Sequence, residues 1–221
     1  MTLPHYTKEQ LKALQADTSG NLTVLERSLV AQLLATMRAP VKQGLVPDWI
    51  LTHSGKRFSF QDIDPETIDI EDIATALSNI CRFTGHLDQH YSVAQHCVLV
   101  SHLVEPHLAF EALMHDASEA YCGDVSSPLK ARLPDYREIE GRVDRTIRAK
   151  YGLPLVETPE VKVADLRMLA SEMGMFGRHN AQAVPDPDKY PPADIMGLRL
   201  LPAEEARAAF LQRFELLYPG E

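Results

Sequence analysis

Apolar residues recur at helical spacing along most of the chain from Ile70 onward. Ile73, Leu77 and Ile80 lie three or four positions apart and therefore share one face of a helix. The same spacing predicts later helices that begin near Val93, Pro106, Tyr136, Thr158 and Pro202. Prolines and glycines separate these segments, as is typical of helices joined by short connections. The sequence therefore predicts an all-α bundle.

Several of the predicted helix starts carry capping signals. Ser92 followed by Gln95 is a capping box, in which each side chain bonds the other residue's free backbone N–H. We expect this helix to run from about Val93 to Val104, and the next from Pro106 to about Ala120. Thr158, next to a proline, is predicted to cap the helix that follows it.

Three other segments complete the predicted organisation. Residues 49–60 place Ser54-Gly55 between short runs with aromatic and β-branched residues, which predicts a small β-hairpin. Residues 184–193 contain four prolines and are predicted to be a loop. An apolar stripe over residues 25–37 predicts an N-terminal helical extension. We assign residues 1–45 to this extension and residues 46–221 to the main domain. The stripe is suited to assembly, and we expect a homo-oligomer.

Charge and composition exclude several classes of function. The net charge of −9, with no run of lysine or arginine, argues against a nucleic-acid polymer as partner. No apolar segment approaches the roughly 18 residues that span a bilayer, so we expect no membrane association. The three cysteines are scattered and form no C-x-x-C motif, and no signal peptide is evident. We therefore expect a reduced, cytoplasmic protein.

Histidines are crowded in the middle of the chain, where six of the nine fall between His86 and His115. His86 and His90 stand one helical turn apart, a spacing that can bind zinc. They follow a glycine and precede the Ser92 cap, so they are predicted to lie in a loop, and the glutamate of an H-E-x-x-H motif is missing. This pair is therefore the weaker candidate for a metal site.

His96, His115, Asp116 and Asp165 form the stronger candidate. Adjacent residues on a helix diverge by about 100°, so His115 and Asp116 can share a metal only in a crevice between helices. His96 and Asp165 lie in apolar stretches of two other predicted helices, where an unpaired polar side chain is costly. Two imidazoles and two carboxylates suit one divalent ion such as Mn²⁺, Co²⁺, Fe²⁺ or Zn²⁺. The alternative is a set of polar core residues with internal partners.

The H…HD…D order resembles the HD-domain phosphohydrolase superfamily over roughly residues 70–175. The run His115-Asp116-Ala117-Ser118-Glu119, with Gly123-Asp124 and Ser127-Pro128-Leu129-Lys130 after it, resembles bacterial 5′-deoxynucleotidases of that superfamily. Arg82-Phe83 stands where those enzymes carry Arg-Trp. The stretch from Trp49 to Cys97 is also similar to phage dATP triphosphohydrolases. The resemblance implies an HD-type helical bundle with the hairpin and the N-terminal segment added, and a deoxynucleotide substrate.

The remaining candidate residues take roles from this resemblance and from their chemistry. Glu119 shares the helix face of the His-Asp pair and is predicted to be a general acid or base, whereas Asp124 would orient water or a substrate hydroxyl. Arg82, with Phe83 beside it, and the lysines at 130 and 162 are predicted to bind substrate. No histidine separates Asp116 from Asp165, which favours one metal over two.

Three functions remain open at this point. The first is removal of the 5′-phosphate from deoxynucleoside monophosphates, and the second is hydrolysis of a deoxynucleoside triphosphate with release of triphosphate. The third is a non-catalytic sensor of nucleotide or metal, which would not need Glu119 and Asp124. For the two hydrolases the expected partner is a small-molecule nucleotide substrate.

Overall fold

The computed structural model describes residues 47–177, 186, 188–195 and 197–220, and those from Asp48 onward belong to one compact unit. Two short strands, β1 (Trp49–Leu51) and β2 (Arg57–Ser59), form an antiparallel hairpin with Ile50 opposite Phe58. The α-helices that follow are α1 (Ile70–Asn79), α2 (Val93–Val100), α3 (Ala109–Met114), α4 (Glu119–Cys122), α5 (Ser127–Lys130), α6 (Pro134–Lys150), α7 (Pro159–Met175) and α8 (Ala203–Leu217). Short 3₁₀ helices cover Pro65–Thr67, Arg82–Gly85 and Pro106–Leu108.

The prediction of an all-α fold with a small N-terminal hairpin is confirmed. The predicted extension over residues 1–45 lies outside the described residues, as do positions 184, 185 and 187 of the proline-rich segment. The rest of that segment, as far as the structure describes it, contains neither helix nor strand. Among the described helices, none has the length and apolar character needed to cross a bilayer.

Two of the predicted helices end or break earlier than expected. The helix that begins at Val93 ends at Val100 instead of Val104, where the Ser101 hydroxyl donates to the Val98 carbonyl at 2.6 Å. The helix predicted from Pro106 to Ala120 is a 3₁₀ turn followed by α3 and α4, with residues 115–118 between them. In that interval the Glu119 N–H donates to the Asp116 carbonyl, three residues back, at 3.0 Å. Residues three apart eclipse in such a tightened turn, so Asp116 and Glu119 face the same way.

The capping signals are partly confirmed. The Ser92 hydroxyl accepts from the Gln95 N–H at 3.2 Å, as predicted. The prediction that Gln95 makes the reciprocal bond of the capping box is wrong. Its side-chain amide instead donates to the Arg199 carbonyl at 2.8 Å and accepts from the Leu201 N–H at 2.9 Å. Gln95 therefore attaches the segment before α8 to α2. The predicted side-chain cap at Thr158 is also wrong, since Thr158 makes no capping bond.

The buried side chains fall into two apolar clusters. The larger contains Phe58 of the hairpin, Leu77 of α1, Leu113 of α3 and Phe210 of α8. The smaller lies among α2, α3 and α7 and contains Val100, Ala112, Val161, Ala164 and Met168. These three helices carry or flank all four predicted metal ligands, so this second cluster fixes their relative positions.

A buried ionic cluster joins the same region to α6. The guanidinium of Arg148 bonds the Glu111 carboxylate at 3.1 Å and both Asp144 oxygens at 3.0 Å. Glu111 also accepts from the Thr158 N–H at 2.9 Å and from its hydroxyl at 3.0 Å. The Glu111 carboxylate thus anchors Thr158, the residue that precedes α7, and it connects α3, α6 and α7.

We expect Glu111→Ala to lower the free energy of unfolding by about 3–5 kcal/mol, because it removes the buried carboxylate that bonds both the Arg148 guanidinium and Thr158. Urea denaturation in the presence of a chelator measures this change without a contribution from bound metal. The control is Glu215→Ala on the exposed face of α8, which we expect to change stability by less than about 0.5 kcal/mol. Equal effects of the two substitutions would contradict the structural role of Glu111.

Candidate metal centre

The imidazole rings of His96 and His115 are buried side by side, with centroids 5.3 Å apart. His115 Nδ1 lies 2.8 Å from the Ala112 carbonyl oxygen, which can only accept, so Nδ1 carries the proton. His96 Nδ1 lies 2.6 Å from a carboxylate oxygen of Glu172 and donates to it in the same way. Both rings are therefore oriented through Nδ1, which leaves each Nε2 as the potential metal ligand.

Two carboxylates lie close to these Nε2 atoms. Asp116 Oδ2 lies 3.1 Å from His115 Nε2 and 3.8 Å from His96 Nε2. Asp165 Oδ1 lies 3.3 Å from His96 Nε2 and 3.9 Å from His115 Nε2. The structure therefore brings together the four residues that the sequence analysis selected as ligands, from α2, from the 115–118 turn and from α7.

The donor set fits a divalent metal ion. His96 Nε2 and His115 Nε2 are buried and have no hydrogen-bond partner of adequate geometry. Ligand atoms of His96, His115 and Asp116 all lie within 4.8 Å of one another, a spacing that bonds of about 2.0–2.2 Å to one central ion can accommodate. No second group of this kind occurs elsewhere in the described residues. Asp165 lies beside the triad, where it can act as the fourth ligand.

The electrostatics of the centre favour positive charge between the rings. Burial lowers the pKa of His115, but Asp116 and Cys97 together outweigh burial and hold that pKa well above its ordinary value. Conversely, burial raises the pKa of Asp165, yet His96, His115 and Lys162 together hold it well below the usual range. Protons or a metal ion can supply the charge that these carboxylates attract.

Glu172 supports the centre and was not selected from the sequence. Its fully buried carboxylate accepts from the Tyr91 hydroxyl and the Arg82 guanidinium at 2.7 Å each, in addition to His96 Nδ1. Burial raises its pKa, but Arg82 and His96 outweigh burial and hold the pKa at about 2. A signal existed in the sequence, since Glu172 follows Asp165 by seven residues and therefore returns to the same face of α7.

Arg82 begins a strained turn at the edge of the centre. Phe83 and Thr84 have φ angles of 54° and 55°, and Gly85 follows with 74°. Left-handed backbone costs about 1–3 kcal/mol at each residue other than glycine, so surrounding contacts must hold this turn in place. The Arg82–Glu172 ion pair and the contact of Phe83 with Phe176, whose ring centroids are 6.0 Å apart, do so.

A cleft of about 290 Å³ opens on the carboxylates of the centre. It is lined by every other residue that the sequence analysis selected, namely Arg82, Phe83, Glu119, Asp124, Lys130 and Lys162. Glu119 is buried and its Oε2 has no hydrogen-bond partner. Burial and the nearby carboxylates of Asp116 and Asp124 raise the pKa of Glu119 well above its ordinary value, which favours the protonated acid.

The two lysines of the cleft are already paired with carboxylates. Lys130 Nζ bonds Glu140 and Lys162 Nζ bonds Asp165, each at 2.7 Å. Lys162 therefore contacts a predicted ligand directly, as its spacing of three residues from Asp165 on α7 indicated. These ion pairs hold both ammonium groups at the cleft.

The rival histidine pair does not form a metal group. His86 ends the strained turn, and His90 lies in the loop before α2, as predicted. His90 Nδ1 lies 3.3 Å from Cys81 Sγ, and its Nε2 lies 3.0 Å from the Ser78 carbonyl. Both ring nitrogens of His90 thus have partners within the fold.

Comparison with known proteins identifies two bacterial relatives. The chain is 49% identical over 166 residues to the uncharacterized protein YfdR of Escherichia coli (strain K12), a match that covers 75% of this chain and 93% of YfdR. It is 33% identical over 191 residues to an uncharacterized protein of Rhodobacter capsulatus, covering 76% of this chain and 95% of that protein. No family model matches the sequence.

We expect Asp116→Ala to abolish stoichiometric binding of a divalent metal, because it removes a charged ligand from between the two imidazoles. Metal content after dialysis, measured by elemental analysis, tests this expectation. Asp62→Ala, at an exposed position after the hairpin, is the matched control and should retain the metal. Normal metal content in the Asp116 variant would show that the ion binds elsewhere.

We expect Glu172→Gln to weaken metal binding by about 10- to 100-fold, the usual consequence of losing a carboxylate that orients a ligating histidine. The substituted amide also presents a donor to Arg82, which is itself only a donor. A competition titration against a chelator measures the affinity, and circular dichroism checks that the fold is retained. An unchanged affinity in a folded variant would contradict this role.

Proposed function

We propose that this chain, which belongs to the same family as YfdR of Escherichia coli, is a metal-dependent phosphohydrolase that removes the 5′-phosphate of deoxynucleoside monophosphates. The observation that supports the proposal is the composition of one cleft. Potential ligands Asp116 and Asp165, a protonatable glutamate, a second acid and three cationic side chains line the same 290 Å³ space. The resemblance to HD-domain 5′-deoxynucleotidases suggests the substrate class.

His96, His115, Asp116 and Asp165 would hold one divalent ion such as Mn²⁺, Co²⁺, Fe²⁺ or Zn²⁺. When bound, such an ion lowers the pKa of a water molecule toward neutrality and polarises the phosphoryl group.

Arg82 would bind the substrate phosphate. Its Nη2 is held by Glu172 at 2.7 Å, and its Nη1 lies 4.0 Å from Asp116 Oδ2 at the metal centre. A guanidinium that is fixed through one nitrogen while another lies beside the centre is pre-organised for an anion, so little conformational entropy is lost on binding. Lys130 and Lys162 line the same cleft and add positive charge around the phosphate oxygens.

Glu119 would act as the general acid. Its raised pKa favours the protonated form, and its Oε2 is free of internal hydrogen bonds. Loss of the nucleoside requires a proton on the ester oxygen as the phosphorus–oxygen bond breaks, and a carboxylic acid at the cleft wall can supply that proton. The tightened turn that places Glu119 on the same face as Asp116 brings this proton to the metal centre.

Asp124 would orient the attacking water or a hydroxyl of the deoxyribose. It follows Gly123, whose φ of 80° ends α4 and turns the chain back toward the cleft. Burial, with the neighbouring Asp116, raises the pKa of Asp124 above its ordinary value, although Arg82 and Lys130 oppose this rise. A partly buried carboxylate beside cations can accept a hydrogen bond from a substrate hydroxyl.

A second candidate is hydrolysis of a deoxynucleoside triphosphate with release of triphosphate. A further cavity of about 270 Å³ shares Asp116, Glu119, Lys130 and Lys162 with the cleft. This adjoining space also contains the exposed guanidinium of Arg137. Room on both sides of the reacting phosphate, with cations at the junction, would accommodate additional phosphates.

We expect purified protein loaded with Mn²⁺ or Co²⁺ to release orthophosphate from deoxynucleoside monophosphates. A panel of dNMPs and dNTPs, with the released phosphate species identified by ion chromatography, distinguishes the two candidates. Triphosphate released from a dNTP would replace the first candidate by the second. Absence of release from every nucleotide, by a protein with full metal content, would refute both.

We expect Glu119→Gln to keep its metal and to slow turnover by about 10²-fold or more, because the amide cannot donate the proton that the leaving oxygen needs. Steady-state kcat together with metal analysis measures both properties. Glu160→Gln, at an exposed position in the first turn of α7, serves as the control and should match the unmodified protein. A near-normal kcat for the Glu119 variant would exclude its role as the acid.

A further inference from the structure

A larger cavity of about 660 Å³ begins at His86, directly after the strained turn whose residues Phe83 and Thr84 line the cleft. Leu87, Phe176, Leu198 and Leu200 give it a half-buried apolar lining. Exposed polar side chains, namely His86, Asp88, Gln89 and Arg199, complete its border. An apolar lining with hydrogen-bonding groups at the border suits a flat ring that carries donors and acceptors on its edge.

Only one residue of the chain separates the lining of the cleft from the lining of the larger cavity. Phe83 and Thr84 line the cleft, and His86 already lines the larger cavity. Consecutive Cα atoms are about 3.8 Å apart, so the backbone of residues 84 and 86 spans at most about 7 Å. The walls of the two cavities therefore adjoin, and a single molecule that spans them would place a phosphate at one end and a ring at the other.

Aromatic contacts hold the partition between the cavities in place. Phe176 meets Phe83 at 6.0 Å between ring centroids and Tyr91 at 5.4 Å. Tyr91 in turn donates to Glu172, the carboxylate that orients His96 and Arg82. The wall of the larger cavity is thus connected through rigid contacts to the side chains of the metal centre.

Two polar side chains at the border have no hydrogen-bond partner among the residues that the structure describes. The side chains of Asp88 and Gln89 make no hydrogen bond to any described residue. The next residue of the same loop, His90, contacts Cys81 and the Ser78 carbonyl. Together they offer acceptors and a donor beside an apolar surface. The edge of a nucleobase presents the complementary groups.

We infer that the larger cavity binds the base of the nucleotide whose 5′-phosphate lies in the cleft, with the turn Phe83–Gly85 between base and phosphate. The inference rests on the proposed function and adds to it a compartment that makes the enzyme recognise the base. A phosphohydrolase without such a compartment would treat a nucleotide and a bare sugar phosphate alike.

The test fills the cavity and compares substrates with and without a base. In Leu198→Trp the larger side chain occupies the space, so we expect KM for dAMP to rise by about 10-fold or more with kcat little changed, as for loss of uniform binding. Hydrolysis of 2-deoxyribose 5-phosphate, which lacks the base, should be unaffected. Leu216→Trp, at a position of α8 that is 73% exposed, is the matched control and should leave KM and kcat unchanged for both substrates.

A second variant keeps the inference testable should Leu198→Trp fail to fold. Asp88→Ala at the exposed border should alter the relative kcat/KM values of dAMP, dGMP, dCMP and dTMP, while the value for 2-deoxyribose 5-phosphate stays constant. Unchanged ratios in Asp88→Ala together with unchanged KM in a folded Leu198→Trp would overturn the inference and leave the proposed function standing. An equal loss of kcat/KM for the nucleotides and for 2-deoxyribose 5-phosphate in these variants would overturn the inference as well.

Failure of the proposed function gives a different result. If the metal-loaded protein hydrolyses neither substrate, binding of deoxyadenosine, which has no phosphate, is measured by calorimetry. Saturable binding that Leu198→Trp or Asp88→Ala weakens would still support a base compartment. Absence of deoxyadenosine binding to the unmodified protein would overturn it.

Discussion

The candidate site depends on one buried carboxylate, that of Glu172. A fully buried charge is stable only when its partners replace the lost solvation. Glu172 obtains them from the guanidinium of Arg82, the hydroxyl of Tyr91 and the imidazole of His96, which lie on segments 76 to 90 residues away in sequence. Satisfying this carboxylate therefore brings α7, α2 and the strained turn together. It also fixes the His96 tautomer and one side of the Arg82 fork.

The helical fold and the four candidate metal ligands could be predicted from the sequence because both depend on local patterns. Helical periodicity and the Ser92 cap depend on neighbours a few positions away, which one sequence displays. The ligands could be selected because His96 and Asp165 are polar residues in apolar helical stretches. Such positions are informative, since a buried polar group needs a partner or a metal.

What the sequence did not show depends on contacts between distant segments. The Gln95 side chain could close the capping box or bond the backbone near residue 200, and only the packing of α8 decides between them. Thr158 is a favourable cap by type, but its N–H and its hydroxyl both donate to Glu111 of another helix. The left-handed backbone at Phe83 and Thr84 contradicts local preference, so no propensity rule predicts it.

The charges of the cleft give a reason for metal and anionic substrate to bind together. Each cation in it has a carboxylate partner in the protein: Arg82 with Glu172, Lys130 with Glu140, and Lys162 with Asp165. The cleft itself is lined by three cations and by four acidic residues, so the protein alone offers little net attraction to a phosphate. A divalent ion among the ligands would reverse that balance, because it is the largest local charge in such a site. The acidic character of the whole chain is thus compatible with an anionic substrate, provided that the metal centre is filled first.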